Sequence, residues 1–302
     1  MSVEHVLTAL FNAGVAVSII ATVLSLGMSF TLAQVLAPLR RVWLVVGMVT
    51  LNAILIPAIA WGVARLFPLS DATVAGLTLA TLGAGSAAGL KATQLAKRAD
   101  LPLAVALVVV LQLVNLVAVP PWAGRVVTGA SISAGEIVKN LLVLVLIPLV
   151  VGLFIRARYA ENATRWQPEL VRVANLALGV ALVAGIAVNW QTIISLFGSW
   201  ALVAAVVVVL IALELGLLLG WQDSATRATT GLTSGMRFGS LGLIIIGTQL
   251  GGNPAYLGPA ICFALIDLLI PLAVATELGR RSTPNPSIRD AVKGRDSRTE
   301  KQ

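Results

Sequence analysis

Apolar residues in this chain occur in unbroken stretches of twenty or more, separated by short clusters of charge, glycine or proline. About 20 consecutive apolar residues span the ~30 Å hydrocarbon core of a bilayer as a helix, so the pattern predicts an all-α polytopic membrane protein. About nine transmembrane helices are expected, over 6–33, 42–66, 71–96, 101–120, 137–155, 168–193, 199–220, 225–250 and 255–278. Turns are expected at Arg40-Arg41, Phe67-Pro68, Pro120-Pro121 and Gly251-Gly252-Asn253-Pro254. The pattern stops after Arg280. Residues 281–302 carry Pro284, Pro286 and mixed charges, which predicts a disordered basic tail. The first apolar run is too long for a signal h-region and lacks a positive n-region, so it is expected to remain as a span.

Composition supports this reading. Hydrophobic residues make up 58% of the 302 positions and charged residues 11%, where a soluble domain carries about 25% charge. The net charge of +8 does not indicate nucleic acid, because the cations fall in alternate connections. Arg40, Arg41, Lys97, Arg98, Arg156, Arg158, Arg165, Arg227 and the tail lie on one side; Arg65, Arg125 and Lys139 lie on the other. By the positive-inside tendency the N-terminus is outside and the C-terminal tail cytoplasmic, as in a multi-pass protein of a bacterial inner membrane. All seven tryptophans lie at or near predicted helix ends, as in an aromatic belt. One cysteine, Cys262, and one histidine, His5, offer no disulfide framework or zinc site. No metal site or cofactor is expected. The spans contain no nucleophile–base constellation and the chain no Walker loop, which argues against an enzyme or an ATP-driven pump. Either a monomer or a homodimer fits this pattern.

Two spans differ from the rest. Span 71–96 contains Gly83-Ala84-Gly85-Ser86-Ala87-Ala88-Gly89 followed by Lys91, and span 225–250 contains Gly231, Thr233, Ser234, Gly235 and then Arg237. Clustered glycines weaken a helix and also allow close packing. Packing does not account for the cation after each cluster, since a charge at mid-bilayer depth is costly unless it faces protein or water. If both helices break and cross, their freed N-termini with Lys91 and Arg237 form an electropositive site suited to an organic anion. The candidate substrate-binding residues are Lys91, Arg237, Ser86, Gly89, Thr233, Ser234, Gly235, Asn52, Gln112 and Asn115, the last two sharing a helix face. Asp267 and Glu214 are the deep acids. They either pair with the two cations or titrate as proton-coupling groups.

These segments resemble the bile acid:sodium symporter family. Asn52-Ala53-Ile54-Leu55-Ile56-Pro57-Ala58-Ile59-Ala60-Trp61 is similar to its Gln-x-x-x-Met-Pro-x-x-Ala-Trp segment, and Leu95-Ala96-Lys97 to the end of its first broken helix. Thr233-Ser234-Gly235-Met236-Arg237-Phe238 is similar to its Glu-Thr-Gly-x-Gln-Asn segment, and Gly27-Met28-Ser29-Phe30-Thr31-Leu32 to Gly-Met-Gly-Leu-x-Leu. The resemblance implies a transmembrane domain over 1–280 built from inverted repeats. A core (about 42–120 and 199–278) would face a panel (about 6–33 and 137–193), with substrate in the cavity between them and two discontinuous helices crossing in the core. It also implies secondary transport of an organic anion. Where the family has sodium ligands, this chain has Thr233, Arg237, Gly89 and Leu90, and only Asn52 is a plausible oxygen donor. Hard cations need several oxygens. Sodium is therefore doubted as the coupling ion, and Lys91 and Arg237 are expected to supply its charge. The first break lacks the cysteine of the superfamily's arsenite carriers, which argues against arsenite. A ligand receptor that does not transport is the competing reading.

Overall fold

A computed structural model describes residues 3–31, 33, 40–127, 133–188, 190–191, 194 and 199–281. Of the tail predicted over 281–302, Arg281 is the last residue of a helix and 282–302 lie outside the described residues. Every regular element among them is helical: α1 (Val3–Ser29), α2 (Val42–Leu66), α3 (Asp71–Thr81), α4 (Ala87–Leu95), α5 (Leu101–Val126), α6 (Ala134–Arg158), α7 (Ala160–Val188), α8 (Trp200–Leu219), α9 (Ser224–Gly235), α10 (Gly239–Gln249) and α11 (Pro254–Arg281). Seven continuous helices are long and apolar enough to cross a membrane: α1, α2, α5, α6, α7, α8 and α11. The other two predicted spans are each divided, into α3 with α4 and α9 with α10. Among the described residues, seven of the predicted spans are therefore continuous. The two exceptions are the glycine-rich segments.

The first break runs over residues 82–86, where Gly85 takes φ +77°, a left-handed conformation that L side chains resist. Ser86 then caps α4, its hydroxyl accepting from the Ala88 amide. The second break is shorter. α9 ends at Gly235, Met236 and Phe238 adopt non-helical conformations, and α10 starts at Gly239 without a side-chain cap. The breaks meet each other: the Phe238 amide donates to the Gly83 carbonyl at 2.8 Å. A Cβ on Gly83 would lie 2.3 Å from the Phe238 carbonyl oxygen, so only glycine permits this approach.

The remaining irregularities follow from proline. α2 and α6 each contain a π-helical turn, Leu51–Leu55 and Leu142–Leu146, just before Pro57 and Pro148. Proline has no N–H, so a carbonyl one turn earlier loses its helical donor. The expected turn at Pro120-Pro121 does not form. α5 runs through both residues and ends at Val126, beyond which Val127 is extended. Its last turn is held by packing, with Ala123 and Val126 buried, and by Trp122, whose indole N–H donates to the Ala53 carbonyl at 2.9 Å. Trp122 is thus turned into the protein, whereas Trp43, Trp61, Trp166, Trp190, Trp200 and Trp221 remain exposed as expected of a belt.

α1 packs along α7 and also against α6, while α2–α5 and α8–α11 pack mainly on one another around the two breaks. α1 meets α10 and α4, α7 meets α11, and α6 meets α5. The crossing should be intolerant of a methyl group. Overpacking typically costs about 1–3 kcal/mol, so Gly83→Ala should lower the thermal unfolding midpoint in detergent. Gly62→Ala, where a Cβ meets nothing within 4 Å, should leave it unchanged or slightly raised. Equal midpoints for the two variants would contradict the crossing geometry.

A candidate anion site at the helix crossing

Unwound backbone inside a bundle must find new partners, because no water or lipid headgroup supplies them. In the first break the partners come from α5. Gln112 Nε2 donates to the Gly85 carbonyl at 2.8 Å, Asn115 Nδ2 donates to the Ala84 carbonyl at 2.9 Å, and Asn115 Oδ1 accepts from the Ala84 amide at 3.2 Å. In the second break the partner comes from α11, where both carboxylate oxygens of buried Asp267 accept from the Arg237 amide at 2.9 Å. Gln112, Asn115 and Asp267 therefore brace the two interruptions. Of these three, only Asp267 also lines the cavity described below.

The Arg237 side chain turns away from Asp267 and is 3% exposed. Its Nη1 donates to Asn52 Oδ1 at 2.7 Å, Nη2 to the Asn52 carbonyl at 2.9 Å, and Nε to the Thr81 carbonyl at 2.8 Å, with Nη2 also reaching Thr81. These oxygens are free for simple reasons. Thr81 ends α3, so its carbonyl has no next turn to bond. Asn52 lies in the π turn five residues before Pro57, the residue that cannot donate to it. The guanidinium thus fills a nest of oxygens made by one helix end and one proline. Asn52 Nδ2 also donates to Ser234 Oγ at 3.1 Å, tying α2 to α9.

Lys91 has a different environment. It lies one turn into α4, is exposed, and faces an open cavity between α1 and α7 on one side and α4, α10 and α11 on the other. Ser86, Ala88, Gly239 and Ser240 also line this cavity, so the starts of α4 and α10 both face it. Helix N-termini favour anions. Polar groups come from Ser18, Thr22 and Ser25 of α1 and Asn175 of α7, and apolar surface from Leu178, Leu182, Phe238, Leu243 and Leu265. The Lys91 ammonium donates to Asn175 Oδ1 at 3.4 Å. Among the described residues neither Lys91 nor Arg237 forms a side-chain ion pair with an acid.

The sequence candidates therefore fall into separate groups. Lys91, Ser86, Arg237 and Asp267 line the cavity, Arg237 with its charged end directed behind it. Asn52 and Ser234 surround the guanidinium side. Gly89 packs near Met236 and Leu232, and Gly235 near Leu213. Thr233 is buried and its hydroxyl has no hydrogen-bond partner among the described residues. Glu214 is exposed on α8, away from the cavity lining. Sequence reasoning overlooked Asn175, although it is the one polar side chain between Val173 and Val188. At the edge of the bundle Asp223 caps α9, and the Thr226 amide and hydroxyl hold its carboxyl below the usual range.

Residues 16–221 match the model of the Sodium Bile acid symporter family. A relative from Arabidopsis thaliana, described as "Probable sodium/metabolite cotransporter BASS3, chloroplastic", is 25% identical over 249 residues, covering 80% of this chain and 56% of its own length. The chain thus spans little more than half of that relative. Because the family match extends over most of the sequence, the protein belongs to the sodium bile acid symporter family, a family of membrane transporters and not of enzymes.

Proposed function

We propose that the protein is a secondary transporter that moves a small or amphipathic organic anion by alternating access, with Arg237 occupying the place of a coupling sodium ion. The observation that carries this reading is the different placement of the two cations. Arg237 takes up the oxygens of Asn52 and Thr81, which would otherwise suit a hard cation. Among the described residues Lys91 forms no ion pair with an acid, and it stands in a cavity lined by two helix N-termini. One cation completes the fold of the crossing, and the other receives the substrate. Residues 42–120 and 199–278 act as the core and 6–33 and 137–193 as the panel, in a bacterial inner membrane with the N-terminus outside.

The distribution of contacts supports alternating access. The cavity takes its α1 lining from Ser18–Ser25, the C-terminal half of that helix. At the opposite end α10 is tied to α6. Gln249 Oε1 accepts from the Ser133 amide at 3.2 Å, Gln249 Nε2 donates to Glu136 at 2.9 Å, and Asn140 Nδ2 donates to Thr248 Oγ1 at 3.4 Å. Such a closed end opposite an open cavity is what a rocking carrier needs in one of its two states.

A proton-coupled form of the same cycle is favoured by one observation. Asp267 is buried, lines the cavity and, among the described residues, receives only a backbone amide. Its carboxylate is available to take up a proton as substrate moves.

In proteoliposomes, anion uptake should differ by less than about twofold between sodium and choline buffers. Strong dependence on sodium would overturn the tethered-cation reading. Arg237→Gln should cut uptake at least tenfold while the protein still assembles. Its unfolding midpoint should fall, because buried carbonyls left without donors cost about 1–3 kcal/mol each. Normal uptake by that variant would make Arg237 a purely structural cation. Asp267→Asn should abolish stimulation of uptake by a pH gradient, and persistence of that stimulation would remove Asp267 from the coupling step.

A further inference from the structure

Asn175 is the one polar side chain of α7 beyond Arg172. Its neighbours on α7, Leu176 and Val183, are 71% and 70% exposed, as befits a face turned to lipid. An amide on such a face is unfavourable unless it has a partner or a task. Asn175 lies at the margin of that face, lining both the central cavity and a shallow apolar groove formed by α1 and α7. From there it reaches across the cavity to Lys91, accepting from the ammonium at 3.4 Å. The contact joins the two walls, since Lys91 is on α4 and Asn175 on α7.

An amide is a suitable partner for a cation that must remain available. A carboxylate at this position would neutralise Lys91, and an apolar residue would leave it unsupported. The amide accepts from the ammonium with Oδ1, and its Nδ2 group keeps two N–H donors. We propose that Asn175 is a second anion-binding residue, whose amide N–H group and the Lys91 ammonium close on one oxyanion from opposite walls of the cavity. The anion enters between them, replaces Asn175 Oδ1 as the acceptor for Lys91, and takes a donated hydrogen bond from Asn175 Nδ2. Binding then draws α7 towards α4, so the bound oxyanion links the two walls. This inference rests on the anion-carrier reading above.

The test is uptake kinetics in proteoliposomes with radiolabelled benzoate and cholate, a compact and an amphipathic monocarboxylate. Hydrogen bonds to charged groups contribute about 1.5–3 kcal/mol, equivalent to roughly 10- to 100-fold in affinity. Because Asn175 is exposed and its substitution need not disturb packing, the variants should unfold within a few degrees of the parent. Asn175→Leu should raise KM at least tenfold with maximal rate within about twofold. Asn175→Gln should recover part of that loss. Asn175→Asp, which gives Lys91 an internal counter-ion, should abolish uptake. Wild-type KM in both Asn175→Leu and Asn175→Asp, with uptake lost in Lys91→Ala, would overturn the role of Asn175 and leave the carrier reading intact. Absence of uptake of both probes by the wild-type protein would overturn this inference together with the function on which it rests.

Discussion

The structure depends on backbone satisfied by backbone at the centre of a bundle. Where α3 and α9 stop, the Phe238 amide donates to the Gly83 carbonyl. The bracing of both breaks follows from the need to complete that contact without water. Two interruptions in an apolar interior leave several donors and acceptors unpaired, each costly to bury alone. α5 and α11 supply side chains for them, Gln112 and Asn115 to one and Asp267 to the other. The same bracing leaves the starts of α4 and α10 facing an open cavity.

Arg237 can be understood from this constraint. A buried guanidinium needs several acceptors, and ordinary helices have none to spare. The end of α3 and the π turn before Pro57 both release carbonyl oxygens at one place, and the Asn52 amide oxygen adds another. The arginine is planar and donates in several directions, so it can satisfy all of them at once. A hydrated ammonium would do so less well, which fits the placement of Arg237 among these oxygens and of Lys91 at the open cavity. Positive charge is thus fixed at the crossing by a side chain.

Much of the architecture was legible in the sequence. Glycine clusters in two otherwise apolar runs marked the interruptions, because glycine is the residue that yields there. Apolar length marked the spans. The sequence did not reveal which way each cation points. Lys91 and Arg237 both follow a glycine-rich stretch, yet one faces open space and the other carbonyl oxygens. Two of those oxygens are backbone atoms of Thr81 and Asn52, which carry no sequence signal; the third, Asn52 Oδ1, belongs to a residue that the sequence did single out. Gln112 and Asn115 were legible as a polar pair on one face, but not as braces for the break. Pro120-Pro121 misled for a related reason: packing of Trp122, Ala123 and Val126 carries α5 past two prolines that would end a solvated helix. Asn175 was visible as an isolated amide, and its significance emerged only when α7 was seen beside α4.

The central claim is that a side-chain cation fills the site a metal ion would otherwise occupy. Equilibrium binding of radioactive sodium to the purified protein measures this directly, independently of any substrate. With Arg237 in place, no saturable binding is expected across the millimolar range. Saturable binding approaching two ions per protein would show that the oxygens around Asn52 and Thr81 still receive sodium, and would contradict the account.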